Sequence, residues 1–140
     1  MTPWVVDTCV LLDLVCGTDQ QATDAESALR EAGTRVICPL TLVELGPTFP
    51  DPGKLRDFLL DYDIDATEPF AAEDAEIGRE TWCRIIAQRR ATGSPRRPIA
   101  DVLIGAFAAR RQGLITRNSA DFRAIFPALA LWVPGRNNPV

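Results

Sequence analysis

Trp4-Val5-Val6-Asp7-Thr8-Cys9-Val10-Leu11-Leu12-Asp13-Leu14-Val15 runs from an apolar segment to an acid and on into a second apolar segment. Trp4-Val5-Val6 reads as a short buried strand, and Val10 to Val15 as a first helix. The alternation continues along the chain. Asp19 to Ala32 has helical spacing and is closed by Gly33. Arg35 to Cys38 is a second strand, and Pro39 to Leu45 a short helix stopped by Gly46-Pro47. Pro52 to Tyr62 carries Leu55, Phe58, Leu59 and Tyr62 on one helical face. Ala71 to Ala91 is a long helix with Ile77, Trp82, Ile85 and Ile86. A basic loop, Thr92 to Pro98, leads to an apolar helix from Ile99 to Gln112. Leu114-Ile115-Thr116 is a third strand, a short helix runs from Asn118 or Ser119 to Phe126, and Ala130 to Val133 is a last strand. Alternating strands and helices call for a parallel sheet covered by helices. The expected architecture is therefore α/β, one domain over residues 1–140.

Four acids interrupt apolar sequence where such a chain ends strands or begins helices: Asp7, Glu44, Asp101 and Asp121. A carboxylate set against a core is costly without a partner. Ligands of an open parallel sheet bind beyond the carboxyl ends of its strands, so one sheet edge would gather all four. Crowded carboxylates repel, and a hard divalent cation such as Mg²⁺ or Mn²⁺ relieves that repulsion. Each acid also has a plain structural reading. Thr41 to Glu44 fits a capping box. Asp101 and Asp121 suit the first turns of helices, and Asp7 suits a helix cap.

Composition bounds the rest. The formal net charge of −4 hides an asymmetry. Residues 1–75 hold 15 acids and 4 bases, and residues 76–140 hold 4 acids and 11 bases. All the bases but Lys54 are arginine, whose planar fork suits phosphate contacts. A negative total argues against broad nonspecific nucleic-acid binding but leaves room for a focused groove. No segment is long and apolar enough for a membrane, and the start lacks the basic region of a signal peptide. Cys9, Cys16, Cys38 and Cys83 form no C-x-x-C pair. Cys9, Cys38 and Cys83 read as small buried hydrophobes, which suits a reducing, cytoplasmic setting.

The acidic segments resemble the motifs of PIN-domain nucleases. Val6-Asp7-Thr8-Cys9-Val10-Leu11-Leu12 is similar to their opening strand motif, and Thr41-Leu42-Val43-Glu44-Leu45 to their second acidic motif. Pro98 to Ala106, around Asp101, resembles the third, and Thr116-Arg117-Asn118-Ser119-Ala120-Asp121-Phe122 the fourth. The compact length most resembles VapC-type toxins of bacterial toxin–antitoxin pairs. The resemblance implies a single three-layer domain with a short, mostly parallel central sheet between helices. It implies that Asp7, Glu44, Asp101 and Asp121 hold one or two Mg²⁺ or Mn²⁺ ions. Water activated there would attack an RNA phosphodiester in line, leaving a 5′-phosphate and a 3′-hydroxyl. Thr8, Thr116 and Asn118 would orient carboxylates or phosphate, and Arg96, Arg97 and Arg117 would neutralise RNA phosphates at the rim. A homodimer and a cognate antitoxin are implied as partners. This sequence has Cys9 where the family usually has Ser or Asn, Gly46-Pro47 after Glu44, and Gly105 in place of a usual alanine.

Other features have plainer readings. Asp13 suits an exposed position on the first helix, and Asp61-Tyr62-Asp63-Ile64-Asp65 a solvated turn without the glycine and terminal glutamate of an EF-hand. Trp82 suits core or a dimer interface. An aspartyl phosphatase would place a second Asp where Cys9 stands. The remaining alternative is a PIN-like module that binds RNA or a protein with little catalysis.

Overall fold

The computed structural model describes residues 2–93 and 99–136. Its elements are β1 (Trp4–Val6), α1 (Thr8–Cys16), α2 (Asp19–Glu31), β2 (Arg35–Val36), α3 (Pro39–Leu45) and α4 (Pro52–Asp61). There follow β3 (Ile64–Asp65), α5 (Ala72–Thr92), α6 (Ile99–Ala109), β4 (Gly113–Ile115), α7 (Ser119–Ile125) and β5 (Leu131–Trp132). The strands form one sheet in the order β3-β2-β1-β4-β5. Every pairing is parallel, with Val5 opposite both Val36 and Leu114.

Each strand is only two or three residues long, so side-chain alternation assigns them to layers. Trp4, Val6, Ile115 and Trp132 face a core built with Val10, Leu11, Leu29, Leu45 and Leu59 from α1 to α4. Val5, Val36, Leu114 and Leu131 face the other way, against Ile104, Phe107 and Phe122 of α6 and α7. A third cluster joins α5 to α6 through Ile85, Val102 and Ala106. The sheet is covered on both faces, the three-layer arrangement expected from the sequence, and β1 is buried throughout.

Local chemistry sets the boundaries. Thr18 caps α2 by accepting from Gln21 N at 3.1 Å while Gln21 Oε1 accepts from Thr18 N at 3.0 Å. Gly93, at φ 69°, ends α5 in the left-handed conformation that glycine tolerates.

Several expectations need correction. The Asp61–Asp65 segment is not simply a turn, because Ile64 is buried and Ile64–Asp65 pairs with β2 as an edge strand. The apolar helix ends at Ala109 rather than Gln112, since Gln112 N donates to Pro3 O at 2.9 Å as the chain turns into β4. Cys83 is exposed rather than buried. Most of the basic loop, Ser94 to Pro98 with Arg96 and Arg97, lies outside the described residues.

Gly105 has a steric reason. A Cβ at this position would overlap the ring of Phe126, which is itself buried. The helix-propensity cost of glycine is offset by that close ring contact. Gly105→Ala should therefore destabilise the protein by about 1–3 kcal/mol through overpacking. A urea melt should show a lower midpoint at unchanged slope, and adding Phe126→Leu should recover much of the loss.

Candidate active site

The strand order reverses direction at β1, whose neighbours β2 and β4 are reached by opposite crossovers. In such sheets the crevice beyond the carboxyl ends of the strands at the reversal is the natural ligand site. Asp7 is the first residue after β1, and Thr116 the first after β4. The two strand ends are tied by Asp7 N donating to Ile115 O at 2.9 Å.

Asp7 is 6% exposed. Its Oδ1 accepts from Thr8 N at 2.8 Å, and its Oδ2 accepts from Thr116 Oγ1 at 2.7 Å and from Cys9 Sγ at 3.3 Å. An ordinary cap reaches the second or third helical amide. Asp7 reaches only the first, and turns its other oxygen toward the end of β4. Burial raises its pKa above the ordinary 3.8, and the nearby Glu44 charge adds to that; the Thr116, Cys9 and Thr8 hydrogen bonds act in the opposite sense without cancelling it. The site thus holds a carboxylate whose charge is incompletely compensated by its protein partners.

Glu44 stands on the last turn of α3, and its Oε1 accepts from Thr8 Oγ1 at 2.6 Å. Thr8 Oγ1 also lies 3.1 Å from the fully buried Thr41 Oγ1. The capping-box reading of Thr41 and Glu44 therefore fails. The helix begins at Pro39 with Cys38 as its cap residue, and Thr41 turns inward to Thr8. Gly46-Pro47 does end this helix, yet the Glu44 carboxylate reaches Thr8 regardless.

Asp101 occupies the first turn of α6 and Asp121 the first turn of α7. α7 starts directly beyond β4. A hydrogen-bonded link joins Asp7 to Glu44 through Thr8. Among the described residues, no group of three or more His, Cys, Asp or Glu side chains is spaced to hold a metal ion.

The donors present nevertheless suit a hard cation. Asp7 and Glu44 offer carboxylate oxygens, and Mg²⁺ takes one or two carboxylates while keeping several waters. Cys9 does not compete as a soft ligand. Burial, followed by the Asp7 charge, pushes its thiol up to about 12, so it stays protonated and donates. The thiol thereby makes a hydrogen bond of the kind expected from Ser or Asn. A disulfide reagent at neutral pH should modify the exposed Cys16 and Cys83 quickly, and Cys9 and Cys38 only on unfolding. Fast reaction of a third thiol in the native protein would contradict this placement.

The loop after β4 completes the picture. Asn118 N donates to Thr116 Oγ1 at 3.0 Å, which turns the Thr116 proton toward Asp7. Asn118 is the cap residue of α7, but its side chain makes no cap bond. Arg117 forms an ion pair with Asp13, Nε to Oδ2 at 2.6 Å. Asp13 is 5% exposed, which corrects its reading as a solvated acid. Its place between Leu12 and Leu14 is the same apolar setting that singled out the other four acids. Cys9, which stands where the resemblance expects Ser or Asn, supplies a hydrogen bond to Asp7 through its thiol, whereas nothing local in the sequence marks Thr41 as facing Thr8.

A groove of about 810 Å³ runs along the β3 edge, lined by Leu42, Leu55, Leu59, Leu60 and Ile64 among others, and it includes none of the four acids. Among the described residues, no helix is long and apolar enough to cross a membrane.

The family profile described as PIN domain matches residues 4–125. Among solved structures, a toxin–antitoxin complex from Klebsiella pneumoniae aligns with TM-score 0.60 and 23% identity, covering 88% of this chain and 92% of that one. VapBC2 from Rickettsia felis, bound to a DNA fragment from its promoter, aligns with TM-score 0.59 and 18% identity over 94% and 98% of the two chains. VapBC-5 of Mycobacterium tuberculosis aligns with TM-score 0.54 and 24% identity over 96% and 98%. No curated protein gives a match.

Proposed function

Because the chain belongs to the PIN-domain family, we propose that it is a Mg²⁺- or Mn²⁺-dependent endoribonuclease, the toxin of a toxin–antitoxin pair. The observation that carries this reading is the buried Asp7 carboxylate at the β1/β4 edge, raised in pKa by burial and linked through Thr8 to Glu44. Asp7 and Glu44 would hold the cation, with Asp101 and Asp121 completing the acidic rim. When bound, the cation supplies Lewis acidity toward water and the scissile phosphate. Thr116 and Cys9 fix Asp7 Oδ2, and Thr8 fixes Glu44, so the carboxylates are held in place before substrate arrives. Hydrolysis would proceed in line and leave a 5′-phosphate. The chain contains no histidine, and carboxylates with a cation do not need one.

An antitoxin partner is supported by the complexes in which the similar structures were solved. A homodimer and a cytoplasmic RNA target belong to the same proposal. The test is incubation with total RNA and Mg²⁺, followed by mapping of the new ends, for wild type and Asp101→Asn. Wild type should produce discrete 5′-phosphate ends that chelation abolishes, and Asp101→Asn should produce almost none. Equal cutting by both proteins would remove the mechanism. Binding without cutting by wild type would favour the noncatalytic RNA-binding module.

A further inference from the structure

We infer that Asp13 and Arg117 form a positioning clamp for the candidate site, and that Arg117 acts through its own loop rather than by gripping RNA. The catalytic half of this inference rests on the nuclease reading above; the structural half does not. Arg117 sits between Thr116, whose hydroxyl serves Asp7, and Asn118, whose amide donates to that hydroxyl. Thr116 Oγ1 donates to Asp7 Oδ2 at 2.7 Å, and Asn118 N donates to Thr116 Oγ1 at 3.0 Å. Any slide of this loop alters both bonds.

The clamp opposes such a slide. Arg117 Nε donates to Asp13 Oδ2 at 2.6 Å and Arg117 Nη2 to Asp13 Oδ1 at 3.1 Å. Two parallel bonds between a planar fork and a carboxylate fix orientation as well as distance. The Asp13 side chain is 7% exposed and that of Arg117 43%, so the pair is shielded on the acid side. Asp13 lies on α1, the helix that Asp7 begins. The loop after β4 is therefore fastened to α1 at two levels: Asp7 N to Ile115 O at the strand ends, and Asp13 to Arg117 further along the helix. The Nε/Nη2 face of the guanidinium is thereby committed to Asp13, which leaves only its Nη1/Nη2 end for any other acceptor.

The test compares wild type with Asp13→Asn, Arg117→Gln, Arg117→Lys and the Asp13→Asn/Arg117→Gln double variant. Two readouts are taken below the melting temperature of every variant. The first is amide hydrogen exchange at residues 116–118, referenced to β1. The second is the kcat and KM for a cleaved oligoribonucleotide with Mg²⁺. The clamp predicts at least about tenfold faster exchange at 116–118 in each single variant. It predicts a kcat lower by about 10- to 100-fold with KM nearly unchanged, and a double variant no worse than the poorer single one. Arg117→Lys keeps the charge but not the fork, so it should be as defective as Arg117→Gln. It also leaves Asp13 facing a cation, and so carries the test alone if Asp13→Asn does not fold. Unchanged exchange at 116–118 would overturn the clamp. So would a raised KM at unchanged kcat that Arg117→Lys restores, because that pattern marks a phosphate contact. If wild type cuts no RNA while the exchange quickens in the variants, the nuclease reading fails and the clamp stands.

Discussion

Asp7→Asn is expected to lower RNA hydrolysis by about a thousandfold or more and, in the presence of chelator, to raise the melting temperature. On the proposed metal-dependent mechanism, loss of the cation would remove several kcal/mol of transition-state charge stabilisation, and each 1.36 kcal/mol is about tenfold in rate. The stability gain follows from burial. Asp7 is 6% exposed and its pKa is raised, chiefly by desolvation. An acid raised in the folded state contributes stability that is present in full below its unfolded value and lost as pH rises through the folded one. For Asp7 that window begins at the ordinary 3.8 and extends upward to its raised value. At neutral pH the ionised residue therefore weighs against folding, and asparagine of similar shape does not. The gap between the two chelated proteins should narrow as pH falls toward 4. Mn²⁺ at about a hundred times its Kd should stabilise wild type by about 2.7 kcal/mol and leave Asp7→Asn unmoved. Calorimetric melts with chelator and with Mn²⁺ read both effects. An Asp7→Asn protein that melts below wild type at pH 7 in chelator would contradict the account of this carboxylate.

Asp74→Ala is expected to be the most destabilising substitution remote from the site, at about 3–5 kcal/mol. Asp74 is fully buried at the start of α5. Its Oδ2 accepts from Ala71 N at 2.8 Å, and its Oδ1 accepts from Arg110 Nη1 at 2.8 Å and Arg111 Nη1 at 3.3 Å. The Arg111 side chain is 8% exposed, and its guanidinium stacks 3.5 Å over the Phe107 ring. Removing Asp74 leaves that buried cation, among the described residues, with the partly exposed Glu68 at 3.3 Å as its one anionic neighbour, beside the Phe107 carbonyl at 2.6 Å. Burial alone would raise the Asp74 pKa, but the Ala71 amide and the two guanidinium groups outweigh it and hold it below 3.8. The sign is opposite to that of Asp7. Asp74 stabilises the fold above 3.8, and that stability is lost as pH falls through its lowered value. Urea midpoints should show the loss at pH 7 and a smaller one in strong acid. Specific activity of the folded fraction should hold, because this cluster grips the end of α6 opposite Asp101.

Much of this arrangement is written locally in the sequence. Val5-Val6-Asp7 announces a buried strand ended by a costly charge, and the alternation of such segments with helices dictates a covered parallel sheet. That β1 lies at the centre, between β2 and β4, is not local information, since it depends on which crossover packs on which face. β3 escaped because only Ile64 of its two residues is buried, and acids surround it. Asp13 reads as solvated in the sequence because its partner, Arg117, is 104 residues away. The reason for Gly105 is not local, because the Phe126 ring that excludes a Cβ there is 21 residues away. Asp7 and Glu44 stand out by their apolar neighbours. The Thr8 bridge between them does not, because it depends on how α1 meets α3.

Anomalous diffraction from crystals grown with Mn²⁺ tests the central claim most directly. A manganese peak within direct ligand distance of Asp7, about 2 Å, and on the side facing Glu44, is the predicted result. A protein that cuts RNA in the same Mn²⁺ solution yet shows no peak beside Asp7 would contradict it.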